Sequence, residues 1–169
     1  DHLLTALGKL RQPFRALIAG TGPAEQWLRR KAREEGLADR VHLAGWQPAG
    51  ALEELLARSA VVAFPSVWDE PFGLVGLEAM AHGRPVVAFD VGGVREWLAD
   101  GVSGRLAPRR DADALASALD GLLADPSLAE RMGAAGQERA QRLFSVERGM
   151  ARLEQELVRA ARTGHAAAA

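Results

Sequence analysis

Short apolar runs that stop at glycine or proline alternate with helix-forming stretches along most of this chain, and that alternation fixes its fold class. Phe14 to Ala19 runs into Gly20-Thr21-Gly22-Pro23, and Arg40 to Gly45 into Trp46 and Pro48. Val61 to Phe64 stops at Pro65, which removes a ladder donor, and has the all-apolar character of a strand buried on both faces. Pro85 to Asp90 runs into Val91-Gly92-Gly93, and Gly104 to Ala107 stops at Pro108. Helical patterns fill the intervals. Leu3, Leu4, Leu7 and Leu10 precede Pro13, a charged amphipathic stretch runs to Glu35, and further patterns cover Leu52–Arg58, Leu74–His82 and Arg95–Ala99. The remainder is helical: Ala112–Ala124, Leu128–Leu143 and Ser145 to about Arg162, with a frayed tail over 164–169. Strands that alternate with helices predict an α/β domain with a mostly parallel sheet and flanking helices. Ligands of such sheets bind beyond the carboxyl ends of the strands, so the loops at Gly20–Pro23, Gly45-Trp46, Ser66–Gly73 and Gly92-Gly93 should rim one crevice.

A chain of 169 residues, 48% hydrophobic and 25% charged, suits one globular domain, here residues 1–163. The net charge of −1 gives no basic footprint for nucleic acid. Without cysteine there are no disulfides or thiolate metal sites, which is compatible with a reducing cytoplasm. No apolar run approaches a membrane span and no signal peptide is visible, although the chain starts at Asp1 rather than Met. His2, His42, His82 and His165 lack ligand spacing, and no metal is expected. Asp111-Ala-Asp113 precedes a helix, and Asp111 reads as its N-cap rather than a metal ligand. Gly20-x-Gly22 lacks the third glycine of a dinucleotide fingerprint, since position 25 is Glu, and Gly22-Pro23 reads as a helix start. Trp27 and Trp97 sit on helical patterns as core residues, whereas Trp46 and Trp68 lie in loops. Arg148, Arg152, Arg159 and Arg162 form a solvated face, with another domain or an anionic membrane surface as alternative contacts.

The stretch from Pro65 to Glu78 carries the chemistry. Pro71 pushes Glu70 towards extended backbone, so Glu70 belongs to a loop. Gly73 permits close approach of a ligand, and the helix after it, apolar nearly all round, should be largely buried and end at Gly83. Glu78 is its only carboxylate, and a buried carboxylate needs donors. His82, one turn on, is one candidate, and a pair of ligand hydroxyls is the other.

Glu70-Pro-Phe-Gly-Leu-Val-Gly-Leu-Glu78, followed by Ala79-Met80-Ala81, Gly83, Pro85-Val86-Val87, Gly92-Gly93 and Glu96, resembles the E-x7-E signature of group 1 glycosyltransferases with the GT-B fold. Gly20-Thr-Gly22-Pro23, Asp39-Arg40-Val41 with Gly45, Ala60-Val61-Val62 with Pro65-Ser66, and Gly101-Val-Ser-Gly104 match further family landmarks in order. The resemblance implies a Rossmann-like, donor-binding C-terminal domain of a retaining, metal-independent enzyme without cofactor that uses a nucleoside diphosphate sugar. It implies that Glu78 accepts hydrogen bonds from ribose hydroxyls and that Glu70 faces the transferred sugar as the catalytic carboxylate. Backbone amides of Phe72, Gly73 and Leu74 would reach sugar and diphosphate oxygens. Gly20, Gly22, Gly45 and Trp46 would line the nucleotide side.

The family pattern also includes a first strand, mid-sheet, and an Arg and a Lys that grip the diphosphate, none of which this sequence contains. A gap or exposed edges in the sheet are therefore expected, as is the need for an N-terminal acceptor-binding domain, without which the isolated chain should not turn over. The expected location is cytoplasmic, with the inner membrane face as a site of peripheral contact. Donor, acceptor and oligomeric state are not set by these motifs. The alternative is a non-catalytic nucleotide-binding or interaction module of the same fold, and an epimerase of this architecture fits the signature less well.

Overall fold

The computed structural model describes residues 1–166. The elements are α1 (His2–Gly8), β1 (Ala16–Ala19), α2 (Glu25–Glu34), β2 (Val41–Gly45), α3 (Ala49–Arg58), β3 (Val62–Phe64) and α4 (Leu74–Ala81). They continue with β4 (Val86–Phe89), α5 (Val94–Trp97), β5 (Gly104–Ala107), α6 (Ala112–Ala124), α7 (Pro126–Phe144) and α8 (Val146–Ala166). Every strand pair is parallel, so the α/β class holds. Of the residues expected to form a frayed tail, 164–166 continue α8, and 167–169 lie outside the described residues.

The sheet is in two pieces, β1-β2 and β3-β4-β5, and no ladder joins β1 to β3. The break leaves β3 with an unpaired edge, in line with the expected gap or exposed edges, and it corrects the burial expected of β3. Val62, Ala63 and Phe64 are only half-buried, because β3 is covered along one edge alone; Val86 to Phe89, on the central strand β4, are fully buried. Leu17 on β1 is likewise exposed.

Helix α1 ties the chain's start to α6. Leu4, Ala6 and Leu7 are buried, and Lys9 Nζ meets the Asp113 carboxylate at 2.6 Å. Asp111 caps α6 by accepting from the Ala114 N–H at 2.9 Å, as its position predicts. In the segment after α1, the backbone N–H groups of Arg11 and Gln12 donate to Asp120 at 3.0 and 3.1 Å, and Arg11 Nε adds a third bond at 3.1 Å. Asp120 is only 5% exposed. Burial works to raise its pKa, but the N–H groups of Gln12 and Arg11 and the guanidinium outweigh it and hold the carboxyl below its ordinary value.

Helix α7 reaches the end of α4 because position 133 is glycine: a Cβ there would lie 2.1 Å from the Gly83 carbonyl oxygen. Trp97 is fully buried as expected, but Trp27 is 41% exposed, which corrects its reading as core. Helix α2 is charged on most of its surface, and the Lys31 ammonium, 5.9 Å from the ring, helps keep the Trp27 indole at the solvent boundary. On α8, Val146, Met150, Leu153, Leu157 and Val158 remain exposed. Among the described residues no helix is long and apolar enough to cross a membrane.

Asp120→Asn would turn an amide N–H towards a backbone donor and is expected to lower stability by about 1–3 kcal/mol in urea denaturation at neutral pH. Because the folded-state pKa is lowered, the carboxylate's contribution is complete above the unfolded value and disappears as acid carries the pH through the folded one. The difference between wild type and variant should accordingly shrink in acid.

Candidate functional site

The turn between β3 and α4 is held from several sides. Within it, the Glu70 N–H donates to the Trp68 carbonyl at 2.8 Å, and Ser66 Oγ lies 3.4 Å from Glu70 Oε2. From the loop after β5, Arg109 donates to the Val67 carbonyl at 2.7 Å and pairs with Asp69 at 3.2 Å. The Gly92-Gly93 loop presses on the turn directly. Gly93 N–H donates to the Glu70 carbonyl at 2.8 Å, and a Cβ on Gly92 would sit 2.1 Å from that same oxygen. Gly92 has φ 47°, so both space and backbone require glycine there. Next to it, Asp90 at the end of β4 takes both Nε and Nη2 of Arg95.

Gly73, at φ 93°, begins α4 without a side-chain cap. Its own N–H and those of Leu74 and Val75 have no acceptor among the described residues. Three unpaired donors and the positive end of the helix dipole make this end of α4 attractive to anions. Glu70 flanks it, with its Cγ 3.4 Å from where a Gly73 Cβ would be. Glu78 lies five residues further along, about 7.5 Å up the helix axis.

The expectation that α4 is largely buried is corrected here. Gly76, Ala79 and Met80 are buried, but Leu74 is 65% and Val75 46% exposed, and Glu78 opens on the same side. A helix apolar all round carries no polar stripe to show which side faces outward. The close face is set instead by the small residue Gly76. His82 is not the partner of the Glu78 carboxylate: its Nδ1 lies 2.9 Å from the Glu78 backbone oxygen. Among the described residues that carboxylate has no hydrogen bond or ion pair. It is solvated rather than buried and available to a ligand.

Two residues in this site were not legible as parts of it. Trp97 Nε1 donates to the Phe72 carbonyl, its ring meets Phe64 edge-on at 5.9 Å, and a Cβ on Gly76 would be 2.1 Å from the ring. Arg139 on α7 donates to the Trp97 carbonyl at 2.7 Å. The Phe72 ring meets Phe144 at 5.4 Å, so of this residue only the backbone is placed beside the turn.

The other expected site residues form a second cluster. Gly20 N–H donates to the Gly45 carbonyl at 2.7 Å, both glycines have positive φ, and Trp46 beyond them is 71% exposed. The Gly22 carbonyl accepts from Glu25 N–H at 3.1 Å, which starts α2. These loops belong to the β1-β2 piece, and no hydrogen bond among the described residues joins them to the Glu70 turn.

Comparison with known proteins gives the same class. Residues 1–139 match the family described as glycosyl transferases group 1, and the chain belongs to that family. It is 47% identical over 102 residues to alpha-maltose-1-phosphate synthase of Mycobacterium tuberculosis, covering 57% of this chain and 26% of the relative. It is 40% identical over 146 residues to the GDP-mannose-dependent alpha-(1-6)-phosphatidylinositol monomannoside mannosyltransferase of Mycolicibacterium smegmatis, covering 81% of this chain and 38% of the relative. Among solved structures, sucrose-phosphate synthase of Thermosynechococcus elongatus superposes with a TM-score of 0.84 at 36% identity, over 94% of this chain and 42% of that one. Anabaena HepE, solved in complex with UDP, gives 0.87 at 27% identity over 93% and 44%. The chain thus spans less than half the length of each of these relatives, and the fold is that of GT-B glycosyltransferases.

Gly76→Ala places a methyl group inside the Trp97 ring contact and should destabilise the chain by about 1–3 kcal/mol. Thermal melts of Gly76→Ala beside Gly121→Ala, where a Cβ meets nothing within 4 Å, check it: only the first should lower the melting temperature.

Proposed function

We propose that this chain is the donor-binding half of a retaining glycosyltransferase, which passes a sugar from a nucleoside diphosphate to an acceptor held by an N-terminal domain. The observation that carries the reading is the pair Glu70 and Glu78 on either side of a helix start with three unpaired N–H groups. On this reading Glu78 accepts hydrogen bonds from the two ribose hydroxyls, a role that an unpaired, solvated carboxylate suits. Amides of Phe72, Gly73 and Leu74 reach sugar and diphosphate oxygens. The loops at Gly20, Gly22, Gly45 and Trp46 border the base.

Glu70 faces the transferred sugar and stabilises positive charge as it develops at the anomeric carbon. The bond from that carbon to the phosphate oxygen breaks while the acceptor oxygen attacks from the same face. The acceptor proton passes to the departing phosphate. No protein nucleophile, metal or cofactor is invoked. Supporting the nucleotide class, HepE structures contain UDP or UDP-glucose, and a mycobacterial relative is named for GDP-mannose.

The exposed apolar face of α8 supports the two-domain arrangement. Val146, Met150, Leu153 and Leu157 recur at spacings of four, three and four residues, and Glu147, Glu154 and Glu156 flank that stripe. Acidic flanks suit an apolar, basic-rimmed protein surface better than an anionic membrane. The occupant we assign is the acceptor-binding domain, for which the longer relatives have room. We place the enzyme in the cytoplasm, where any contact with the inner membrane face would come from that domain.

Calorimetric titration of the chain with UDP-glucose and GDP-mannose tests the reading. One of them should bind, and Glu78→Gln should weaken it roughly tenfold, the loss of a charged hydrogen-bond acceptor. In a protein that includes the acceptor domain, Glu70→Gln should reduce kcat by at least about a hundredfold with donor affinity nearly intact. Wild-type kinetics in both variants would refute the assignments, and binding without turnover in the two-domain protein would favour the non-catalytic module.

A further inference from the structure

We propose that Trp97 is a positioning residue for the donor's diphosphate, acting by fixing the direction in which the Gly73 N–H points. The proposal rests on the donor-binding reading above and assigns a role to a residue outside the motif.

The peptide between Phe72 and Gly73 is planar and trans, so its C=O and N–H point in opposite directions. Trp97 Nε1 donates to the Phe72 carbonyl and draws that oxygen to the core side of the turn. The Gly73 N–H is thereby turned to the opposite side, where no acceptor among the described residues meets it. Glycine at φ 93° has no Cβ to hold this peptide in one orientation, and rotation of the peptide plane is the cheapest motion open to it. The indole N–H opposes that rotation.

The indole cannot itself yield. It is fully buried, its ring fills the space that a side chain at Gly76 would take, and Phe64 lies edge-on at 5.9 Å. Its backbone is fixed by Arg139, which donates from Nε to the Trp97 carbonyl at 2.7 Å and from Nη2 to the Glu96 carbonyl at 2.9 Å. Phenylalanine or leucine at 97 would fill much of the space without supplying the N–H. The role therefore belongs to tryptophan's nitrogen and not to its bulk.

The test replaces the N–H while keeping the shape. Trp97→benzothienylalanine exchanges the indole nitrogen for sulfur in a ring of nearly the same size, and Trp97→Phe serves as the encodable companion. Each 169-residue chain is titrated with UDP and GDP and, separately, with uridine and guanosine. The expected result is a roughly tenfold loss of affinity for whichever diphosphate binds the wild type, with its nucleoside unaffected. A variant that holds the diphosphate as tightly as wild type overturns the proposal, and so does equal weakening of nucleoside and diphosphate, which marks a general structural role.

A second readout needs no ligand. In 15N-labelled protein the Gly73 amide resonance and its hydrogen-exchange rate should change in the sulfur variant, while the Gly20 and Gly45 amides stay in place. An unmoved Gly73 amide overturns the proposal by itself. If the wild type binds no nucleotide, the donor-binding reading falls, and the Gly73 amide still decides whether Trp97 sets this peptide.

Discussion

The contact on which this structure depends is the Trp97 ring lying where a side chain at position 76 would otherwise be. A Cβ at 76 would come within 2.1 to 2.7 Å of three ring atoms, so α4 can approach α5 only because that position is glycine. The approach fixes the height and rotation of α4. It brings the Phe72 carbonyl to the indole N–H and leaves Gly76, Ala79 and Met80 facing inward. Gly92 and Gly93 repeat the device on the neighbouring loop, where bare backbone meets the backbone of Glu70 and Pro71. A site built on such contacts is rigid without large side chains of its own, and rigidity is what aiming a few backbone donors at one anion requires.

Electrostatics at the turn follow from that geometry. The helix start offers N–H groups rather than a side-chain cation, and nearby arginines are already engaged: Arg109 with Val67 and Asp69, and Arg95 with Asp90. Those pairs are exposed and contribute little to stability. Their larger effect is on shape, because Arg109 reaches from the end of β5 to the middle of the Glu70 loop. Glu70 and Glu78 are left as acceptors on either side of a donor-rich helix start, which on the proposed reading meet the hydroxyls at the two ends of a ligand with an anion between them.

Much of this was legible in the chain, and the reasons for the rest are physical. Strand ends were marked by Gly20, Gly45, Pro65 and Pro108, and the start of α4 by Gly73, because glycine and proline act through local backbone sterics. Asp111 announced its cap for the same local reason. The exposure of Glu78 was not legible. Leu74 and Val75 look like core residues in any window, and only the placement of α4 against Trp97, twenty-one residues beyond Gly76, decides that they face outward. The half-exposure of β3 was hidden likewise, since burial of a strand depends on its neighbours and not on its own side chains. Arg109 and Arg139 gave no signal, because each bonds backbone carbonyls that a linear pattern cannot pair with it.

The open apolar surfaces bear on the proposed arrangement more than the site does. Beside β3, Leu17 on β1, Leu74 and Val75 on α4, and the stripe along α8 are all exposed. Single exposed hydrophobics are ordinary, but grouped ones on a strand edge and along a 21-residue helix mark surfaces that pack against something. The unpaired edge of β3 calls for backbone donors and acceptors in extended conformation, whereas, on the proposed reading, the α8 stripe calls for an apolar groove with a basic rim. One small ligand supplies neither. On the reading proposed above a folded polypeptide supplies both, and relatives more than twice as long as this chain have the residues for it. On the two-domain reading, Leu74 and Val75 are then the floor of a cleft whose far wall is the acceptor-binding domain.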